Sequence, residues 1–281
     1  MSTANEIANA KIDDNYLFYL WTGKTHPLRC LSELLKDLLN AGNLICSPDS
    51  IKLFSMSANK TLLVHLKLNA DKFEKYICKE TISLGLNMDN YFKIIKLIES
   101  NETLRLYVEK KEPYLLAIER FNKEENILNT NYLKLMDIPN NVPFVPDLKF
   151  NQIIVMNSAR FQKICKEIYT FNDYIQIQCV NGVLYFNSKC SKNKVNTTKQ
   201  SIKIIPSNNN NNENNIKYES NNDEIFEGTY NLKYLVQFSK CSNLSNTVKL
   251  HIGNDLPLLI ECDVAELGNI RICIMPIEDD A

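Results

Sequence analysis

The chain has 281 residues, 44% of them hydrophobic, with 32 basic and 33 acidic side chains and a net charge of −1. That length suits two domains of about 130–140 residues each, and no stretch approaches the ~20 apolar residues of a membrane span. Near-neutrality excludes a chain that is basic throughout, as strong non-specific nucleic-acid binders are, but it leaves room for one basic and one acidic face.

The first fifteen residues are polar and carry acids, without the basic-then-apolar layout of a signal peptide, so the protein is expected to stay inside the cell or an infected one. Residues 28–39 have helical period and place Leu28, Leu31, Leu34, Leu35, Leu38 and Leu39 on one face. Strands are predicted at 51–54, 61–68, 104–108 and 114–118, with a second helix at 88–98 presenting Tyr91, Ile94, Ile95 and Ile98. Residues 137–149, DIPNNVPFVPDLK, hold three prolines and read as an extended connector. Its Phe144, Val145 and Leu148 either pack on a sheet or line a binding groove.

A third helix is predicted at 158–168, capped by Ser158 and stacking Phe161, Ile164, Cys165 and Ile168. Strands follow at 174–179 and 183–186, joined by Asn181-Gly182, a tight-hairpin signal. The stretch 206–222, with asparagines at 208–212, reads as a mobile low-complexity loop. A fourth helix is predicted at 230–240, with Leu232, Leu235, Val236 and Ser239 inward, and strands at 248–252 and 258–262. Two helices per half argue for a repeated α+β unit. The division is 1–15 extension, 16–136 N-terminal domain, 137–149 connector and 150–281 C-terminal domain.

Nine scattered cysteines without a CxxC spacing argue against a disulfide framework or a zinc site. No phosphate-binding loop, dinucleotide fingerprint, nucleophile elbow or zinc-protease motif is present, and His26, His65 and His251 are isolated in sequence, so neither an enzyme nor a cofactor is expected.

Basic residues recur opposite the apolar helix faces: Arg29 and Lys36, Lys93 and Lys96, Lys163 and Lys166 with Arg160, then Lys233 and Lys240. Acids are expected mainly in turns and strands. Two readings stand side by side. Amphipathic helices put charges outward anyway, or the four helices share one basic surface that contacts phosphates without reading bases.

From Gly228 onward, the sequence GTYNLKYLVQFSKCSNLSNTVKLHIGNDLPLLIECDVAELGNIRICIMPIEDD resembles the C-terminal end of the proliferating cell nuclear antigen family. KDLLNA at 36–41, LFSMSANKTLLVHL at 53–66, YLKLMD at 132–137 and FQKICKEI at 161–168 are similar to successive family landmarks. The resemblance implies an α+β clamp fold: two similar domains, each of two β-α-β-β-β units, with helices lining a three-copy ring and antiparallel sheets outside. It implies a DNA polymerase processivity factor that encircles double-stranded DNA without sequence specificity. It also implies partner polymerases and other replication or repair proteins bearing short peptide motifs, a clamp loader, and no membrane. The location would be the nucleus, or the site of viral DNA replication.

The resemblance places DNA contacts at Arg29, Lys36, Lys93, Lys96, Lys163, Lys166, Lys233 and Lys240. It places a peptide pocket at Met56, Lys60, Leu63, Val145, Pro146, Pro257, Cys273, Met275 and Pro276. Here Cys273 replaces a tyrosine common in the family, Lys60 a histidine, and Met275 a small residue. The subunit interface falls on Asn131, Tyr132 and Leu133. Asn131 stands where an aromatic is common, with Tyr132 beside it. Residues 126–134 are expected to pair with a strand within 192–205 of the next copy. The competing readings are a monomeric or heteromeric clamp-like subunit in checkpoint or transcription duty, and a peptide-binding scaffold without a DNA role.

Overall fold

The computed structural model describes residues 15–57, 59–139, 150, 152–189, 199–204, 216–218, 225–254 and 256–277. They fall into two compact units, the first drawn from 1–55, 66–142 and 266–268, the second from 56–65, 143–265 and 269–281.

The first unit begins with β1 (Tyr16–Thr22), α1 (Thr25–Leu38), β2 (Ala41–Cys46), β3 (Ser50–Met56) and β4 (Leu62–Asn69). A short β5 (Lys75–Ile77) precedes the second pass, β6 (Ile82–Asn87), α2 (Met88–Ile95), β7 (Glu102–Glu109), β8 (Leu115–Asn122) and β9 (Ile127–Lys134). The second unit repeats the pattern. Its first pass is β10 (Gln152–Asn157), α3 (Ser158–Tyr169), β11 (Tyr174–Val180), β12 (Val183–Lys189) and β13 (Ser201–Ile204). After a two-residue β14 (Lys217–Tyr218) come β15 (Phe226–Asn231), α4 (Leu232–Phe238), β16 (Thr247–Ile252), β17 (Leu258–Val264) and β18 (Gly268–Ile274).

Strand order shows why the repeat is paired. In the first unit β5-β1-β7-β8-β9 is one sheet and β4-β3-β2-β6 another run; in the second, β13-β12-β11-β15 answers β14-β10-β16-β17-β18. The first strand of each opening pass joins the sheet of the closing pass, so neither pass buries its apolar face alone. The helices cover those faces. α1 buries Leu28, Leu31, Leu34, Leu35 and Leu38, and α3 buries Phe161, Ile164, Cys165 and Ile168. Each fully buried aliphatic or phenyl side chain contributes about 1.5–3 kcal/mol.

Three helices start the same way. The last residue of the preceding strand is an asparagine whose side chain accepts from a first-turn amide: Asn87 from Asn90 N, Asn157 from Arg160 N and Asn231 from Lys233 N. The cap of α3 is therefore Asn157 and not Ser158, whose hydroxyl donates to the Ser245 carbonyl. Replacing Asn157 with alanine should cost about 1 kcal/mol, read from the denaturant midpoint of the second unit.

Other expectations are corrected. α2 ends at Ile95, and a single turn carries the chain to Ile98. α4 begins at Leu232 because Tyr230 and Asn231 still pair with Ile175 and Tyr174. It ends at Phe238, so Lys240 sits in the following 3-10 turn (Ser239–Asn243), and Phe238 is buried where Val236 was expected. Besides Glu33 on α1, the helices carry Asp37 on α1, Asp89 on α2 and Glu167 on α3. Within 206–222 only 216–218 are described, the asparagines at 208–212 lying outside the described residues; Ile216 is buried, β14 pairs with β10, and Tyr218 donates to the Gly182 carbonyl. The Asn181-Gly182 hairpin is present, both residues having positive φ (49° and 70°), as a two-residue primed turn requires. Residues 140–149 of the connector lie outside the described residues.

Candidate DNA-facing helices and partner-binding surface

Each predicted basic residue of the four helices lies away from the buried stripe, but their surroundings differ. On α1, Arg29 is exposed and reaches the Ile98 carbonyl at 3.5 Å. Lys36 is half-buried, 3.1 Å from Asp37 and with its ammonium 4.8 Å from the Phe92 ring centroid. On α2, Lys93 pairs with Asp89 one turn earlier at 2.6 Å, and this partner holds the Asp89 carboxyl below its ordinary value. Both groups are exposed, so the pair is weak and exchangeable. Lys96 is exposed at the C-terminal end of α2. On α3, Lys163 and Lys166 are exposed, as is Lys233 on α4; Lys240 is half-buried. In the first unit Lys36 and Lys93 are thus already engaged with acids, whereas Lys96 forms no ion pair within the described residues. The second presents lysines at 163, 166 and 233 that form no salt bridge within the described residues.

The second unit, which takes in residues 56–65 of the β3–β4 hairpin, also carries an apolar surface. The β3–β4 hairpin is closed by Ser57 N donating to Leu62 O, with Lys60 at its exposed tip in a left-handed conformation (φ 59°). Asn59 organises the turn, accepting from the hydroxyls of Ser57 and Thr61. The end of β18 docks here, Met275 N donating to Thr61 O, and Ile277 N donates to Thr229 O. Met56, Met275 and Ile277 are 36%, 51% and 38% exposed, an unusual concentration of large apolar side chains in water. Leu63, Pro257 and Cys273 are half-buried and Pro276 is exposed. Val145 and Pro146 lie outside the described residues.

Ile277 and Tyr234 belong to this surface and escaped the sequence reading. Burial raises the Tyr234 phenol, but hydrogen bonds with Thr61 and Asn59 outweigh it and leave the group below its ordinary value. The Cys273 thiol is pushed up to about 11 by burial. It should therefore resist alkylation at neutral pH and react faster as pH climbs toward that value. Peptide-resolved mass spectrometry after timed maleimide labelling would read this; rapid labelling at pH 7 would contradict it.

The third predicted site is split by strand alternation. β9 is the edge of its sheet, with Asn131 opposite Ile118, Tyr132 opposite Ala117 and Leu133 opposite Leu116. Tyr132 is 61% exposed, whereas Leu133 is 8% exposed and belongs to the core. A charge at Leu133 would thus disturb the packing of the first unit as well as the edge.

The proliferating cell nuclear antigen N-terminal domain family matches residues 23–142, and the corresponding C-terminal domain family matches 144–277. A protein of Paramecium bursaria Chlorella virus 1 named "Probable DNA polymerase sliding clamp 1" is 31% identical over 265 residues, covering 94% of this chain and 98% of that one. The proliferating cell nuclear antigen of Caenorhabditis elegans is 28% identical over 253 residues, covering 90% of this chain and 94% of its own. Two domain matches in the family's order and a near full-length relative give one answer: the chain belongs to the proliferating cell nuclear antigen family of DNA sliding clamps.

Proposed function

We propose that three copies close into a ring around duplex DNA and hold a polymerase and other replication or repair proteins on it, without catalysing a reaction themselves. The observation that carries this is the recurrence of exposed basic side chains on all four helices, opposite their buried stripes. A clamp must retain DNA yet slide. Diffuse contacts from flexible lysines to phosphates allow both, because one contact exchanges for the next without reading sequence. The work would take place where DNA is replicated, in a nucleus or a viral replication site, with a loader opening the ring.

The test is retention on nicked circular DNA compared with the same DNA linearised. A ring stays on the circle and runs off the linear ends. Equal loss from both, or a chain that stays monomeric in sedimentation, would favour a clamp-like subunit of another assembly.

Partners would dock on the surface around Met56, Leu63, Cys273, Met275 and Pro276. The support is its apolar exposure and its tie to one hairpin. A peptide with a glutamine, an aliphatic and two aromatic anchors is expected to bind at roughly micromolar affinity, near −8 kcal/mol. The double substitution Met56→Glu, Met275→Glu should weaken binding by about tenfold or more, since each buried anchor pocket would gain a desolvated charge. Calorimetry decides it; unchanged affinity in the folded variant moves the site elsewhere.

A further inference from the structure

The register of the first unit lines up one row of side chains across its whole sheet, on the face away from the helices. Ile77 lies opposite Tyr19, Tyr19 opposite Tyr107, Tyr107 opposite Ala117 and Ala117 opposite Tyr132. Tyr132 ends the row at the free edge. β9 itself, ILNTNYLK, carries no acid, and Ile127, Leu128 and Tyr132 are all exposed. An eight-residue edge of this kind is a template for another strand.

The second unit offers an edge that fits. In the sheet β13-β12-β11-β15, the β15 side already accepts from Ile277 through Thr229, while no described residue pairs with the outer side of β13. On β13, Ile204 is buried and Lys203 is exposed, opposite Tyr185, with the Lys203 ammonium 5.5 Å from the Tyr185 ring centroid. Side chains alternate along both strands. An antiparallel β9–β13 pair that keeps Leu133 and Ile204 on the same inner face puts Tyr132 and Lys203 on the other face, and the register that sets Leu133 opposite Ile202 brings them directly opposite each other.

We propose that Tyr132 of one copy closes over Lys203 of the next, so that the ammonium is held between two tyrosine rings at the outer side of the seam. This rests on the ring reading above. A cation over two rings supplies the attraction that an acid-free edge cannot supply as an ion pair, and Asn131 leaves the inner side of the seam without an aromatic anchor. The contact is worth about two- to fivefold in dissociation constant per seam at an exposed site, and three seams multiply it.

The experiment is concentration-dependent sedimentation of the full chain with Tyr132→Phe, Tyr132→Leu, Tyr132→Lys, Lys203→Leu and the double Tyr132→Leu, Lys203→Leu variant. Both residues are exposed, and circular dichroism confirms that each variant folds. The phenylalanine variant should assemble like the native chain, since the ring is kept. Tyr132→Leu and Lys203→Leu should each weaken assembly, the double no more than the stronger single, and Tyr132→Lys most of all. Additive losses in the double variant, or undiminished assembly of Tyr132→Lys, overturn the tyrosine–lysine contact while leaving the ring in place. A native chain that never self-associates overturns the ring reading and this contact with it.

Discussion

Replacing Lys96, Lys163, Lys166 and Lys233 together with glutamate is expected to lower polymerase processivity on a primed circular template by about tenfold or more. The same variant should flatten the salt dependence of DNA binding, because fewer counterions are released when fewer phosphates are neutralised. These four are chosen because they are exposed and form no ion pair within the described residues. Lys36 is a poorer probe: its half-buried ammonium lies by the Phe92 ring and meets Asp37, so its loss would mix folding with DNA contact. Lys93 is also set aside, since a glutamate there would face Asp89 one turn away. Circular dichroism and sedimentation should be native. Unchanged processivity in a folded, self-associating variant would show that these helices do not face DNA.

Helical period exposed the buried stripes because apolar side chains recur there every three to four residues, and all four helices lie within or close to the spans that the pattern gives them. Their ends were less legible. Tyr230 fits the α4 period yet completes β15, since strand pairing to β11 decides the boundary. The asparagine caps at 87, 157 and 231 are a repeat signature at three of the four strand-to-helix junctions, visible once the strands are known and unremarkable before. β1 escaped pattern reading for a physical reason. Its YLFYLWT has apolar side chains on both faces, Phe18 and Leu20 under the helices and Tyr19 and Trp21 in the aromatic layer opposite, so alternation vanishes. At the candidate sites, the basic positions were legible as a pattern, but their partners were not. Asp89 and Asp37 sit beside Lys93 and Lys36 on the same helices, and only side-chain placement shows which pairs form. The methionine surface joins residues far apart in the chain through main-chain bonds such as Met275 to Thr61, which no local spacing announces.

Leu133→Glu should unfold the first unit, although it stands one residue from Tyr132, whose substitution should leave the fold intact. Leu133 is 8% exposed and lies opposite Leu116, which is 1% exposed. Truncating such a leucine to alanine typically costs about 2–5 kcal/mol. An unpaired buried carboxylate adds several kcal/mol more. Set against a domain stability of about 5–15 kcal/mol, that is enough to lose the native state. Trp21, the single tryptophan of the chain, lies on β1 of the same unit and gives a local fluorescence probe. That matters because a two-unit protein need not melt in one step. The expected result is an early Trp21 transition in denaturant for Leu133→Glu and a native-like transition for Tyr132→Leu. A Leu133→Glu protein that melts like the native chain would mean that the alternation along β9 is reversed. Tyr132 would then point inward, and the outward tyrosine–lysine seam would lose its geometric basis.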